Sequence, residues 1–177
     1  MKQRIHILGA SGSGTTSIAK AVCREMGYAH FDSDNYLWLP TQEPFTVLRP
    51  PEERIALLSH DLNSCDKWVN SGSLMSWGDE IIPLFDLVVF VYVPTEIRVE
   101  RLKKREYERY GDAIMPGGSR YEDSKMFIEW AAAYDTGTSF GRNLQKHEEW
   151  LTGITCDIIR IENHDFDKSI NAVIEAM

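Results

Sequence analysis

The chain has 177 residues, 43% of them hydrophobic and 26% charged, which is enough for the core of one α/β domain and short for two. Its net charge of −8 disfavours broad binding to nucleic-acid phosphates, and no stretch approaches the ~20 apolar residues of a membrane span. Met1-Lys2-Gln3-Arg4 leads into an apolar strand without a signal-peptide pattern, so a soluble cytoplasmic domain with neither nucleic-acid nor membrane partners is expected.

Ile5-His6-Ile7-Leu8 is the first strand, and Gly9-Ala10-Ser11-Gly12-Ser13-Gly14-Thr15-Thr16 follows it, ahead of a helix over residues 17–26. Strand, glycine-rich turn and helix start make a phosphate cradle, because glycines allow positive φ and a helix N-terminus favours an anion. The spacing is that of a P-loop, G-x-x-x-x-G-K-[ST], with Thr15 where the lysine belongs. Thr16 keeps the hydroxyl expected to ligate Mg²⁺, whereas the mobile charge that neutralises the β- and γ-phosphates is missing. Lys20, one turn further on, points away from the loop at helical spacing and reads as solvated.

Gly27 closes that helix, and residues 28–31 form a second strand. At its exit Asp32-Ser33-Asp34-Asn35 sets two carboxylates one residue apart. An Asx turn or helix cap uses this pattern, and so does a phosphoryl-transfer site. In the latter, Asp34 faces the acceptor and Asp32 holds Mg²⁺ through water; the carboxylate repels an acceptor phosphate and favours an alcohol. The aromatic run Tyr36-Leu37-Trp38-Leu39-Pro40 and Trp77 are placed to wall an acceptor pocket, while Trp68 and Trp130 read as core. Pro50-Pro51 opens a helix over residues 52–62, with Ile55, Leu58 and Leu62 on one face. Residues 67–71 are the third strand. Ser71-Gly72-Ser73 at its exit offers amides and two hydroxyls to the same cleft, or is a plain strand-to-helix turn.

Residues 87–93 form an apolar run without alternation, as in a strand covered on both faces, and Pro94 stops it. The following helix, to about residue 110, carries Arg98, Arg101, Arg105 and Arg109 on a single face. A solvated helix is also charged, and Glu100 with Lys104 is an ordinary i,i+4 pair. The functional reading rests on the glycine-bearing loop over residues 111–118. That loop is suited to close as a lid, bringing Arg101 and Arg105 to the transferred charge and replacing what Thr15 lacks. Ser119-x-x-Glu122 reads as a capping box for a helix through residue 133. A loop over residues 134–141 precedes Arg142, a second cationic source, and then come a helix over 143–151, a strand over 158–161 and a final helix striped by Ile170, Val173, Ile174 and Met177. The histidines have no metal-binding spacing. Cys23, Cys65 and Cys156 share no C-x-x-C spacing and read as small core hydrophobes in a reducing compartment. Strands alternating with helices give a parallel sheet between helix layers, with ligands beyond the carboxyl ends of the strands.

Taken together, Gly9 to Thr16, Asp32-Ser33-Asp34, Ser71-Gly72-Ser73 and the arginine helix behind Val93-Pro94 resemble the P-loop kinases of small molecules, the adenylate, shikimate and gluconate kinases. The likeness covers nearly the whole chain in layout, and the glycine loop is its specific motif. Asp34 is similar to the acceptor-binding aspartate of shikimate kinases, and Ser71-Gly72-Ser73 takes the place of their glycine-rich turn without matching it. The form Gly-x-x-Gly-x-Gly-Thr-Thr also resembles a bacterial branch described as adenylate-kinase-like.

The resemblance implies one P-loop NTPase domain over residues 1–177, with five parallel strands, an acceptor region near residues 35–65 and a lid near residues 108–125. It implies ATP with Mg²⁺ and phosphotransfer to a small metabolite at a hydroxyl. Gly9, Ala10, Ser11, Gly12, Ser13, Gly14, Thr15 and Thr16, with Arg142, are expected to hold the nucleotide, and Thr16 and Asp32 the metal. Asp32, Asp34, Arg49, Ser71, Gly72 and Ser73 are expected at the acceptor, with Asp34, Arg101 and Arg105 as catalytic residues. The alternatives are a nucleoside monophosphate kinase, with Arg49 and Arg54 around the acceptor phosphate, and a non-catalytic ATP-binding switch.

Overall fold

The apolar runs that lack alternation are strands buried on both faces, as a parallel sheet between two helix layers requires. In a computed structural model that describes residues 1–138 and 140–177, these are β1 (Arg4–Gly9), β2 (Ala29–Asp32), β3 (Trp68–Ser71), β4 (Leu87–Tyr92) and β5 (Asp157–Glu162). They form one sheet in the order β2-β3-β1-β4-β5, and every pairing is parallel. Register sets the strand exits side by side: Ser71 pairs with Ile7 on one side and Asp32 on the other, and Gly9 pairs with Val91.

Helices α1 (Thr15–Met26) and α7 (Phe166–Ala176) cover one face, where Ile18, Val22, Ile170 and Val173 pack on Ile5, Ile7, Val89 and Val91. The other face takes α3 (Pro51–Asn63) and α6 (Leu144–Leu151), through Leu58, Leu62 and Leu151, with Trp68, Phe85 and Ile81. Three further helices rise above the carboxyl edge or flank it: α2 (Ser33–Leu37), α4 (Thr95–Tyr110) and α5 (Tyr121–Ala132). No helix among the described residues is long and apolar enough to cross a membrane.

Most predicted elements are present, with informative shifts. The capping box at Ser119 does not form: α5 begins at Tyr121 with Arg120 at the N-cap and no side-chain cap bond. The preceding backbone is already closed, because Arg120 N–H donates to Ala113 O and Tyr121 N–H to Gly118 O, which delays the helix start. Within the predicted loop over 111–118, Gly111–Ile114 makes a 3₁₀ turn; another, Asp79–Leu84, has no periodic signal. Ser139, part of the predicted loop over 134–141, lies outside the described residues. Cys23 is buried as expected, whereas Cys65 and Cys156 are half-buried at the edge of the core.

Candidate active site

The glycine loop turns on Gly12 and Gly14, which hold φ of 84° and 91°, a region open to glycine at little cost. A Cβ on Gly12 would meet Arg98 O at 2.8 Å, and one on Gly14 would meet Asn163 Nδ2 at 2.7 Å. The glycines therefore let the back of the loop press on α4 and on the exit of β5. On its front, the N–H groups of Gly12, Gly14, Thr15 and Thr16 donate to no group among the described residues. Four amides without partners at the mouth of a 12-residue helix form an anion cradle. Beside it the Thr16 hydroxyl donates to Asp32 Oδ2 at 3.1 Å, joining the two expected metal ligands. No group of three His, Cys, Asp or Glu side chains among the described residues is arranged to hold a metal.

Above the cradle lies a cleft of about 1200 Å³. Asp34 lines it from α2, where Asp32 is both N-cap and acceptor of the Asp34 N–H at 3.1 Å. The helix-cap reading of the Asp-Ser-Asp turn holds, and the cap sets the second carboxylate at the cleft. Burial pushes the Asp34 carboxyl above its ordinary range; Arg142 chiefly opposes the rise, Asp32 adds to it, and Arg105 and Arg109 restrain it. Arg142 crosses from the far wall, its Nη2 donating to Ser11 Oγ at 2.8 Å and its guanidinium 5.2 Å from the Trp130 ring. Trp130, expected in the core, is instead half-buried and walls the cleft with Phe127, Trp38 and Trp77. Phe45 and Ser76, the two non-glycine residues with positive φ among the described residues, both line this cleft. Strain of this kind collects at binding sites.

The arginine helix divides by function. Arg98 is fully buried, donating to Val93 O, Ala131 O, Thr95 Oγ1 and Asp135 Oδ1; it is a strut between α4 and α5. Arg101 reaches the loop, donating to Gly12 O at 3.4 Å and Asn163 O at 3.1 Å. Arg105 and Arg109 line the cleft and are exposed, both about 4 Å from the buried Glu106.

Several expected acceptor residues stand elsewhere. Arg49 does not line the cleft: at the end of α2 its Nε donates to Tyr36 O at 3.0 Å and its Nη2 to Trp38 O at 3.5 Å, and its Nη1 approaches Glu53. Arg54 donates to Arg49 O. The Ser71 hydroxyl is buried 2.9 Å from His30 Nε2, so of the Ser71-Gly72-Ser73 turn only Gly72 and Ser73 line the cleft, and Ser73 Oγ lies 3.2 Å from His147 Nε2. Tyr36 is buried with its hydroxyl on Asp61. Lys20 is exposed, as expected, but stands at the cleft rim. Sequence reasoning missed Asn163, whose Nδ2 donates to Ser13 O at 2.8 Å. Its place just after the last strand was the available signal.

Comparison with known proteins agrees with this architecture. Residues 5–126 match a family described as "AAA domain". The uncharacterized protein YqaC of Bacillus subtilis (strain 168) is 43% identical over 175 residues, 99% of this chain and 95% of that protein. Among solved structures, shikimate kinase from Bacteroides thetaiotaomicron is 20% identical, with a TM-score of 0.59 over 99% of this chain and 98% of its own. A gluconokinase from Sinorhizobium meliloti 1021 is 15% identical, with a TM-score of 0.54 over 98% of this chain and 94% of its own. The glycine loop on β1, the five-stranded parallel sheet and this match over most of its length place the chain in the AAA domain family, with the fold of the P-loop small-molecule kinases.

Proposed function

We propose that the protein is an ATP-dependent phosphotransferase acting on a hydroxyl of a small metabolite. The observation that carries the reading is the set of partnerless amides at Gly12, Gly14, Thr15 and Thr16 opening into the same cleft as Asp34. These amides bind the nucleotide phosphates, with Gly9, Ala10, Ser11 and Ser13 shaping the loop behind them. Mg²⁺, when bound, would supply neutralising charge to the phosphates, and Thr16 and Asp32 are the residues that would hold it.

Asp34 orients the acceptor and takes its proton. The hydroxyl oxygen forms a bond to the γ-phosphorus, the bond to the β,γ-bridging oxygen breaks, and ADP leaves with that electron pair. Burial helps this carboxylate as a base by raising its proton affinity, and Arg142, Arg105 and Arg109 oppose that rise. Arg105 faces the transferred group. Arg101 keeps the loop in shape, and Arg142 brings cationic charge to the loop residue Ser11. Ser73 and Gly72 support the acceptor side. Arg49, engaged with backbone and Glu53, and Arg54, donating to Arg49 O, do not line the cleft, so neither of the two cations expected around a monophosphate acceptor stands there.

Calorimetric titration with ATP, with and without Mg²⁺, followed by ADP release over sugar, polyol, heterocyclic-alcohol and nucleotide acceptors, tests the reading. Mg²⁺-dependent binding and acceptor-stimulated release are expected. Tight binding with no stimulated release would replace the enzyme with a nucleotide-binding switch.

A further inference from the structure

Next to the main cleft is a smaller pocket of about 190 Å³. Asp34, Asn35, Trp38, Pro44 and Phe45 line both spaces, so the carboxylate assigned to the acceptor stands at their junction. The pocket is slightly larger than the ~150 Å³ that holds one benzene ring. No lysine or arginine lines it, and its one charged residue is Asp34. A carboxylate or phosphate group placed there would meet the Asp34 carboxylate and no counter-charge in the pocket's own lining. The arginines of the site all line the main cleft instead.

The walls are built for a flat group. The Trp38 and Phe45 rings stand 6.3 Å apart at 82°, an edge-to-face corner against which a third ring packs favourably. Phe45 holds φ of 62°, a costly conformation for a bulky residue. Its ring lies 5.2 Å from the Arg109 guanidinium. The strand-like bracket behind it is closed by Leu39 N–H to Val47 O at 2.9 Å and by the Trp38–Leu48 bridge. Asn35 is exposed and its amide makes no hydrogen bond among the described residues, leaving both a donor and an acceptor for a polar ring edge.

Resting on the phosphotransferase reading, we propose that this pocket is the subsite for the part of the acceptor remote from its hydroxyl, and that this part is a single uncharged heteroaromatic ring. The acceptor class is thus an alcohol carrying one neutral nitrogen heterocycle, such as a pyrimidine nucleoside or a hydroxymethylpyridine, rather than a sugar acid.

Calorimetry with the whole protein, in the presence of ATP-binding concentrations of a non-hydrolysable ATP analogue and Mg²⁺, tests this with cytidine, 3-hydroxymethylpyridine, shikimate and gluconate. The ring alcohols are expected to bind at least tenfold more tightly than the two acids. Asn35→Ala, at an exposed position, and Phe45→Ala are each expected to weaken ring-alcohol binding at least fivefold without changing affinity for the ATP analogue. Equal or tighter binding of the acids, or ring binding insensitive to both substitutions, overturns the subsite. ADP release in parallel assays separates the two claims. Ring binding without ADP release removes the phosphotransferase and keeps the subsite, whereas release driven by the acids alone removes the subsite and keeps the phosphotransferase.

Discussion

Arg142 and Arg101 both meet the glycine loop whose lysine is replaced by Thr15, but their donors are used differently. Arg101 spends two on the carbonyls of Gly12 and Asn163, which fixes backbone. Arg142 reaches the hydroxyl of Ser11 and feels the Asp34 carboxylate across the cleft, which puts charge into the space a phosphate would enter. Arg142→Ala is expected to weaken ATP binding about 10- to 100-fold, the size of one charge-assisted hydrogen bond. Thr15→Lys in that background is expected to recover most of the loss and to add much less to the wild type, because both cations address one charge. A calorimetric double-mutant cycle reads this coupling; additive effects would mean the two act in separate places. The sequence located the cationic face of α4 because arginines at helical spacing must share a side. It did not separate Arg98 from Arg101, since periodicity reports a face and not whether α5 is packed upon it. Ser71 and Ser73 were likewise legible as a turn at a strand exit, but not that His30 and His147 would take their hydroxyls.

The loop is held in shape by elements far apart in sequence, and that is why its support was unreadable while its motif was not. Asn163, buried at the exit of β5, donates to Ser13 O at 2.8 Å and accepts from the Ser169 hydroxyl at 3.1 Å, tying β5, α7 and the loop together. Asn163→Ala leaves the Ser13 carbonyl and the Ser169 hydroxyl with one partner fewer in a buried place, at a cost of about 2 kcal/mol to stability. It also frees the space that Gly14 now shares with the amide nitrogen, so ATP affinity is expected to fall several-fold although residue 163 is not assigned to the nucleotide. Urea unfolding and ATP titration of the variant check the two effects together. Loss of stability with unchanged affinity would show that the loop keeps its shape unaided. The strands and the long helices were legible because burial on both faces and 3.6-residue periodicity are local signals. The 3₁₀ turns, the five-residue α2 and the true start of α5 depend on backbone hydrogen bonds across turns, which side-chain patterns do not encode.

At the scale of the molecule, the helix layer on the α6 side encloses two histidines against the sheet, and both must stay neutral for the fold to close. His6 is fully buried, stacked 4.9 Å from the Phe85 ring, with Nδ1 2.9 Å from Asn70 Oδ1 and no partner for Nε2 among the described residues. Burial lowers its pKa to about 4. His147 lies between Ser73 and the Tyr134 hydroxyl, 2.6 Å from Nδ1, and burial, aided by the charge of Arg142, lowers its pKa to about 3. In the unfolded chain both titrate near ~6.5, so between that pH and the folded values the unfolded state binds protons that the native state does not. Stability therefore rises with pH through this window, is complete above pH ~6.5, and is lost on acidification. By pH 5 the loss is roughly 2 kcal/mol for each histidine, large against the ~5–15 kcal/mol of an ordinary domain. Asp34, whose folded pKa is raised, contributes in the opposite direction lower down, where carboxylates titrate. His147→Gln keeps a donor and an acceptor for Ser73 and Tyr134 but cannot titrate. Urea unfolding at pH 7 and pH 5 is expected to show the wild type losing about twice as much stability as this variant. An unchanged difference would remove His147 from the acid sensitivity.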